Sequence, residues 1–322
     1  MTRPALIGDI GGTNARFALV TPGAFEPHDI QTLPCADYPG VVEAVRDYLA
    51  KVEQSGAKAP EEACLAFACP INGDRVRMTN NHWAFSRSEA QTALGLTRLK
   101  VINDFTAQAL GVPHLGPDDL VEVQPGVPRV HSVRLVIGPG TGLGVAGIFP
   151  GRRAWIPLPT EGGHFTFAPT DEREQNLLRH FRNRYGRVSV ERILSGQGLL
   201  DLYLAHCSLK GAPPCHNTPA EVTEAASHGD GIARDTLLRF LKILGDVSGD
   251  ATLVMGARGG VYLCGGILPR LLKWLPQSGF RDAFNAKGRM SDYTGAIPVH
   301  VVTAPWPGLL GAAEALHNEE VA

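Results

Sequence analysis

The residues best suited to chemistry are few and fall in groups. Asp104 follows an apolar run, residues 99–102, and precedes the helix-like stretch 105–110. A carboxylate where a buried strand hands over to a helix is held rigidly and can accept a proton from a substrate hydroxyl. Capping the helix is the competing role for such an aspartate. Asn103 shares that position. Glu161-Gly162-Gly163-His164 places a carboxylate and an imidazole on a glycine-flexed loop, and Glu191 adds a carboxylate at the start of a predicted helix. Each alone reads as a solvated surface group. Together they make a set of acceptors suited to a polyhydroxyl ligand, whose hydroxyls favour charge-assisted partners.

Glycine turns form the second group. In residues 6–20 two apolar runs flank Gly11-Gly12-Thr13-Asn14. This predicts a β-hairpin whose turn uses backbone angles natural to glycine and leaves amide N–H groups facing a concavity that suits a phosphate. Asp9 stands at its mouth, where a carboxylate reaches a magnesium ion or its water shell. An ordinary tight hairpin is the competing reading. Residues 133–149 repeat the pattern around Gly138-Pro139-Gly140-Thr141-Gly142-Leu143-Gly144, a weak internal duplication, and Gly265-Gly266 closes a third strand-like run. The chain has no Gly-Lys dipeptide, which excludes a Walker A loop, and the glycines at 140, 142 and 144 lack the Rossmann spacing. Three turns of this kind can wrap a nucleotide polyphosphate with backbone N–H groups alone.

The elements that must position these groups follow from hydrophobic periodicity. The chain has 322 residues, 44% hydrophobic and 19% charged, enough for two domains of α/β type. A helix is predicted between Pro39 and Gly56, a strand from Cys64, a loop or hairpin over 72–83, and a capped helix from Ser86. Composition loosens over 113–128, where a second unit is expected to begin. Helices are predicted over 170–185, 190–207, from Thr218 and from Ile232, then a final strand over 299–303 and a helix over 307–317. In open α/β folds ligands bind in crevices at strand ends, so the site is expected between the domains.

The formal net charge of −2 gives no reason to expect nucleic acid or an anionic membrane as partner. No signal-type segment follows Met1-Thr2-Arg3-Pro4, and no apolar run is long enough to span a bilayer. The six cysteines show no CxxC pairing and read as small buried thiols in a reducing compartment, with the cytoplasm as the expected location. His206-Cys207 and Cys215-His216 offer four ligand atoms for zinc, but neither pair has the usual ligand spacing.

Taken with Val101-Ile102-Asn103-Asp104-Phe105-Thr106-Ala107, Val190-Glu191-Arg192-Ile193-Leu194-Ser195-Gly196 and Pro307-Gly308-Leu309-Leu310-Gly311-Ala312, these motifs resemble the bacterial glucokinase family, in matching order from about Leu6 to Leu316. The resemblance implies an actin-like (ribonuclease H-like) ATPase fold with two α/β lobes around a central cleft. It implies a small lobe of residues 1–112 plus 299–322 and a large lobe of residues 113–298. It also implies ATP-dependent phosphorylation of D-glucose at the 6-hydroxyl, with magnesium, by a homodimer. Asp104 matches the catalytic base. Asn103, Asp104, Gly142, Glu161, His164 and Glu191 match sugar contacts. The turns match nucleotide-binding segments through Asp9, Gly11, Gly12, Thr13, Asn14, Gly140, Thr141, Gly265 and Gly266, with Asp9 on magnesium through water. Related ROK proteins carry a cysteine-rich zinc motif after the Glu-Gly-Gly-His equivalent. Residues 165–174 contain no cysteine, and no helix-turn-helix precedes the first hairpin, so neither ROK membership nor a DNA-binding repressor is expected. A kinase for another hexose or amino sugar, or a non-catalytic sugar sensor on the same fold, are the alternatives.

Overall fold

A computed structural model describes residues 3–54 and 56–321. Met1 and Thr2, at the head of the stretch expected to lead into the first strand, lie outside the described residues. Contacts divide the chain into two units, one of Met1–Asp119, Gly147–Pro159 and Ala304–Ala322, the other of Leu120–Ala146 and Thr160–Thr303.

The first unit opens with β1 (Ala5–Ile10), β2 (Asn14–Val20) and β3 (His28–Pro34), then α1 (Val41–Gln54) and β4 (Glu62–Phe67). A short hairpin, β5 (Arg75–Arg77) and β6 (Ala84–Ser86), leads to α2 (Arg87–Ala93), β7 (Arg98–Asn103) and α3 (Asp104–Gly111). The sheet order is β3-β2-β1-β4-β7, with β4 parallel to β1 and β7, and β2 antiparallel to β1 and β3. Apolar residues recur on α1 at helical spacing, so Val41, Ala44, Val45, Tyr48 and Val52 are buried against Phe17, Leu65 and Trp83 in one core. β3 carries no strand pattern in the sequence because it is an edge strand: of its seven residues only Leu33 is buried, so it needs no apolar alternation.

The second unit holds β8 (Leu120–Gln124), β9 (Arg134–Pro139) and the start of β10 (Leu143–Pro150). The rest of β10 and β11 (Trp155–Pro159) group with the first unit, where Asn318 Nδ2 donates to the Trp155 carbonyl at 2.8 Å. The family resemblance implies the large lobe for this stretch. Four helices follow, α4 (Glu172–Tyr185), α5 (Gly196–Lys210), α6 (Pro219–Ser227) and the long α7 (Gly231–Met255). Then come β12 (Val261–Leu263), the short α8 (Leu268–Leu271), α9 (Phe280–Asn285) and α10 (Ser291–Gly295), and β13 (Val299–Val302). Here the strand order is β10-β9-β12-β13-β8, with β12 parallel to both β9 and β13. Val299 and its neighbours thus belong to the second unit, since β13 is hydrogen-bonded into that sheet on both sides, by β12 and by β8.

Two expectations are corrected in this unit. The loose stretch over 113–128 contains β8, another edge strand of mixed composition. The helix expected over 190–207 is broken: Val190–Arg192 is a single 3-10 turn, and α5 starts afresh where Ser195 Oγ accepts from Gly198 N–H at 3.0 Å.

The chain ends in the first unit with α11 (Pro307–His317). Carbonyls in its last turn and just beyond it converge on Lys100 of β7, whose Nζ donates to Ala315, Asn318 and Val321 at 2.8, 2.8 and 2.6 Å. A cation at the negative end of a helix satisfies carbonyls that no helical N–H reaches. No helix among the described residues is long and apolar enough to cross a membrane.

Candidate active site

In the first unit, Asn103 and Asp104 sit at the junction of β7 and α3. The helix cap is Asn103, not the aspartate: its Oδ1 accepts from Phe105 and Thr106 N–H at 2.9 and 3.2 Å. Its Nδ2 donates to the Cys69 carbonyl at 3.2 Å and to Asp104 Oδ1 at 3.0 Å. Phe105 N–H also reaches Asp104 Oδ1, at 2.9 Å. Asp104 is therefore the first helical residue, with one carboxylate oxygen fixed by two donors and its charge beside the positive end of α3. The Asn103 side chain thus both caps α3 and holds one oxygen of Asp104.

The β1–β2 turn is closed by Gly11 N–H donating to the Asn14 carbonyl at 2.9 Å. Its glycines differ from expectation, for neither Gly11 nor Gly12 has a positive φ. Space at Gly12 is tight: a β-carbon there would lie 3.0 Å from Asn80 Cβ and 3.3 Å from the Asn80 carbonyl oxygen. Thr13 at the tip is exposed. Asp9, near the end of β1, keeps 17% of its side-chain surface exposed and lies 3.7 Å from Arg16 Nη1. Burial raises its pKa, and Arg16 opposes that rise. Its carboxylate also faces the first turn of α11, where a β-carbon on Gly308 would come within 3.0 Å of it. Gly308 belongs to the 307–312 motif. The structure makes it the gap that lets a helix N-terminus meet Asp9.

In the second unit the sugar-contact candidates gather as one group. His164 lies between two carboxylates, with Nε2 4.0 Å from Glu161 Oε2 and Nδ1 3.9 Å from Glu191 Oε1. Glu161, His164 and Glu191 expose 62%, 56% and 31% of their side chains, so ligand hydroxyls can reach all three. Glu191 Oε2 accepts from Leu143 N–H at 2.9 Å and would be 2.4 Å from a β-carbon on Gly142. A side chain at position 142 would therefore have to displace the Glu191 carboxylate from the turn. The corrected helix boundary matters here, because Glu191 sits on the isolated 3-10 turn and not at a helix start. A short ladder, Val190 N–H to Phe165 O at 2.8 Å and Phe167 N–H to Val188 O at 3.0 Å, registers the two acceptor loops. Arg187 Nη2 closes it by donating to the His164 carbonyl at 2.7 Å. No sequence signal marked that arginine.

The β9–β10 turn parallels the first hairpin, with Gly140 N–H donating to the Gly142 carbonyl at 2.7 Å. Gly140 O accepts from Gly196 N–H at 2.8 Å, which docks the start of α5 on this turn, and Thr141 is exposed at the tip. Gly265 has φ +92° and would place a β-carbon 2.4 Å from the Pro139 carbonyl oxygen, so both backbone angle and space demand glycine. Gly266 beside it is exposed. The histidine and cysteine pairs form no metal centre: His206 Nδ1 bonds Thr236 Oγ1, His216 Nε2 bonds Asp230 Oδ2, Cys207 is buried and Cys215 exposed. Among the described residues no group of three or more His, Cys, Asp or Glu could hold a metal.

The fold is that of the actin-like ATPases, and the class this chain joins is the sugar kinases. A glucokinase crystal structure from an Antarctic psychrotroph superposes with a TM-score of 0.87 at 38% identity, covering 99% of this chain and 100% of that one. The chain belongs to the glucokinase family, whose family model, described as Glucokinase, matches residues 6–319. It is 68% identical over 321 residues to a glucokinase of Chromohalobacter salexigens, with 100% of each chain covered. A glucokinase of Hahella chejuensis is 55% identical over 98% of each chain.

Proposed function

We propose that the chain transfers the γ-phosphoryl group of ATP to the 6-hydroxyl of glucose, with Asp104 as the base that orients this hydroxyl and takes its proton. As a glucokinase it phosphorylates glucose. The observation that carries the assignment of the base is the Asp104 carboxylate, one oxygen of which is fixed by Asn103 Nδ2 and Phe105 N–H at the start of α3. Phosphoryl transfer passes through a loose transition state with little proton transfer early on, so positioning of the acceptor oxygen contributes more than basicity.

Glu161, His164 and Glu191 bind sugar hydroxyls in this reading, and Glu191 is aimed by Leu143 N–H. Asn103 serves as the residue that orients Asp104. The turns at Gly11-Gly12-Thr13-Asn14, Gly140-Thr141-Gly142 and Gly265-Gly266 supply backbone N–H groups to the nucleotide. Magnesium fits this chain at Asp9. Among the described residues no group of three or more His, Cys, Asp or Glu could hold a metal, and magnesium is commonly held by one or two carboxylates, substrate phosphates and water. Bound there, the ion would neutralise phosphate charge, and it would also offset the burial that raises the pKa of Asp9. A cytoplasmic homodimer is carried over from the family as part of the same reading, and sedimentation tests the assembly.

A coupled assay for ADP tests the function. Release that requires glucose, with kcat/KM highest for glucose in a panel with mannose and glucosamine, is the expected result. Glucose-independent release, or a better substrate in the panel, overturns it.

A further inference from the structure

The β1–β2 turn takes its shape from what lies behind it. The loop joining β5 to β6 is closed by Met78 N–H donating to the Trp83 carbonyl at 3.0 Å. Fully buried Trp83 anchors it, with Nε1 donating to the Tyr38 carbonyl at 3.1 Å. From this loop Asn81 uses both ends of its amide. Oδ1 accepts from Trp83 N–H at 2.9 Å, and Nδ2 donates to the Gly11 carbonyl at 3.4 Å. Asn80 fills the space that a side chain on Gly12 would need. From β3's end, Cys35 N–H donates to the Thr13 carbonyl at 2.8 Å, and the Cys35 thiol points at the Gly11 carbonyl at 3.7 Å.

The carbonyl of Gly11 and the N–H of Gly12 belong to one peptide unit, and in a trans peptide they point in opposite directions. Tying the Gly11 carbonyl backwards therefore turns the Gly12 N–H forwards. A turn without left-handed glycines has no stiff backbone angle of its own to fix that plane, so the side chain behind it does so.

We propose that Asn81 is a positioning residue for the nucleotide: by holding the Gly11 carbonyl from behind, it presents the Gly12 N–H to a phosphate oxygen of ATP. The proposal rests on the reading of this hairpin as a phosphate-binding turn. Asn81 needs no contact with the nucleotide, and its effect is confined to the ATP side of the reaction.

Two variants of the full-length enzyme test it. Asn81→Ala removes the donor, and the loss of one neutral hydrogen bond predicts a rise of about threefold to tenfold in KM for ATP. Asn81→Asp is isosteric and keeps the acceptor for Trp83 N–H, but it sets a carboxylate oxygen against the Gly11 carbonyl and a negative charge behind the phosphates. It is expected to raise KM for ATP further, by about tenfold or more, while KM for glucose stays within twofold. A purely structural role would lower Tm in both variants and leave KM for ATP unchanged, which overturns the proposal. An equal rise in both Michaelis constants overturns it too. Gly12→Ala, which must push against Asn80, separates the two levels. If Gly12→Ala raises KM for ATP and the Asn81 variants do not, the proposal fails and the phosphate reading stands. If Gly12→Ala leaves KM for ATP unaltered, the phosphate reading fails and takes the proposal with it.

Discussion

Asp104 in the first unit and the Glu161, His164 and Glu191 set in the second are held in opposite ways. Asp104 is locked by regular structure: a strand end, a helix start, and a neighbouring asparagine that spends its whole amide there. The three acceptors stand on irregular loops, and the imidazole is 3.9 to 4.0 Å from its carboxylates, beyond ordinary hydrogen-bond length. Only Glu191 is pinned, by one backbone N–H. The difference matches the tasks proposed for them. A base must already be in place when its proton moves, since misplacement costs rate directly. Acceptors for hydroxyls are free to tighten as the sugar arrives.

If that contrast is right, the largest effect lies at the locked residue. Asp104→Ala is expected to lower kcat by about 10²-fold or more while calorimetry still detects glucose binding. Near-normal turnover would remove Asp104 from the mechanism. The next largest lies in the second unit, and it should fall on the other kinetic constant. Glu191→Gln keeps an oxygen for Leu143 N–H but loses the charge, so KM for glucose is expected to rise about tenfold with a smaller change in kcat. Gly142→Ala, which displaces the Glu191 carboxylate, should reproduce that pattern. A dominant kcat loss in either would erase the distinction between the two regions.

A smaller, mixed effect is expected at Asn103. Asn103→Ala removes the cap and the Nδ2 donor together, which costs about 1 kcal/mol of stability by chemical denaturation and lowers kcat severalfold. If denaturation alone changes, Asn103 only caps α3 and does not orient Asp104.

Acid distinguishes the units most gently. His206 in the second unit is held neutral, its pKa lowered to about 4, chiefly by burial and then by Arg173. The unfolded chain takes up this proton near 6.5, so stability is expected to fall as pH drops from about 6.5 to 4. In the first unit Asp9 has the reverse sign: its raised pKa means that protonation relieves a cost of burial. Hydrogen exchange should therefore show acid opening in α5 and α7 before it appears in β1, and His206→Gln should weaken the order. Simultaneous opening of both units would contradict this assignment.

Much of this was legible in the sequence. The hairpin of residues 6–20, the Asn103–Asp104 junction and the repeat of the glycine turn are local features, written in apolar runs and small residues. Less legible were β3 and β8, because edge strands bury little and so carry no strong alternation. The break before α5 was hidden as well. A continuous helical pattern runs through it, and only the Ser195 cap divides it.

What the sequence determined by itself is the inventory: the α/β class, the carboxylates and the glycine turns, since propensity and spacing act over a few residues, and the family, through the resemblance of its motifs. The tertiary structure decided what the glycines are for and which neighbour serves which residue. Gly12 makes room for Asn80, Gly142 for Glu191, and Gly308 lets α11 approach Asp9. In the same way Asn103, and not Asp104, is the cap. These pairings join residues from 1 to about 300 positions apart, and close packing, unlike periodicity, leaves no mark along the chain.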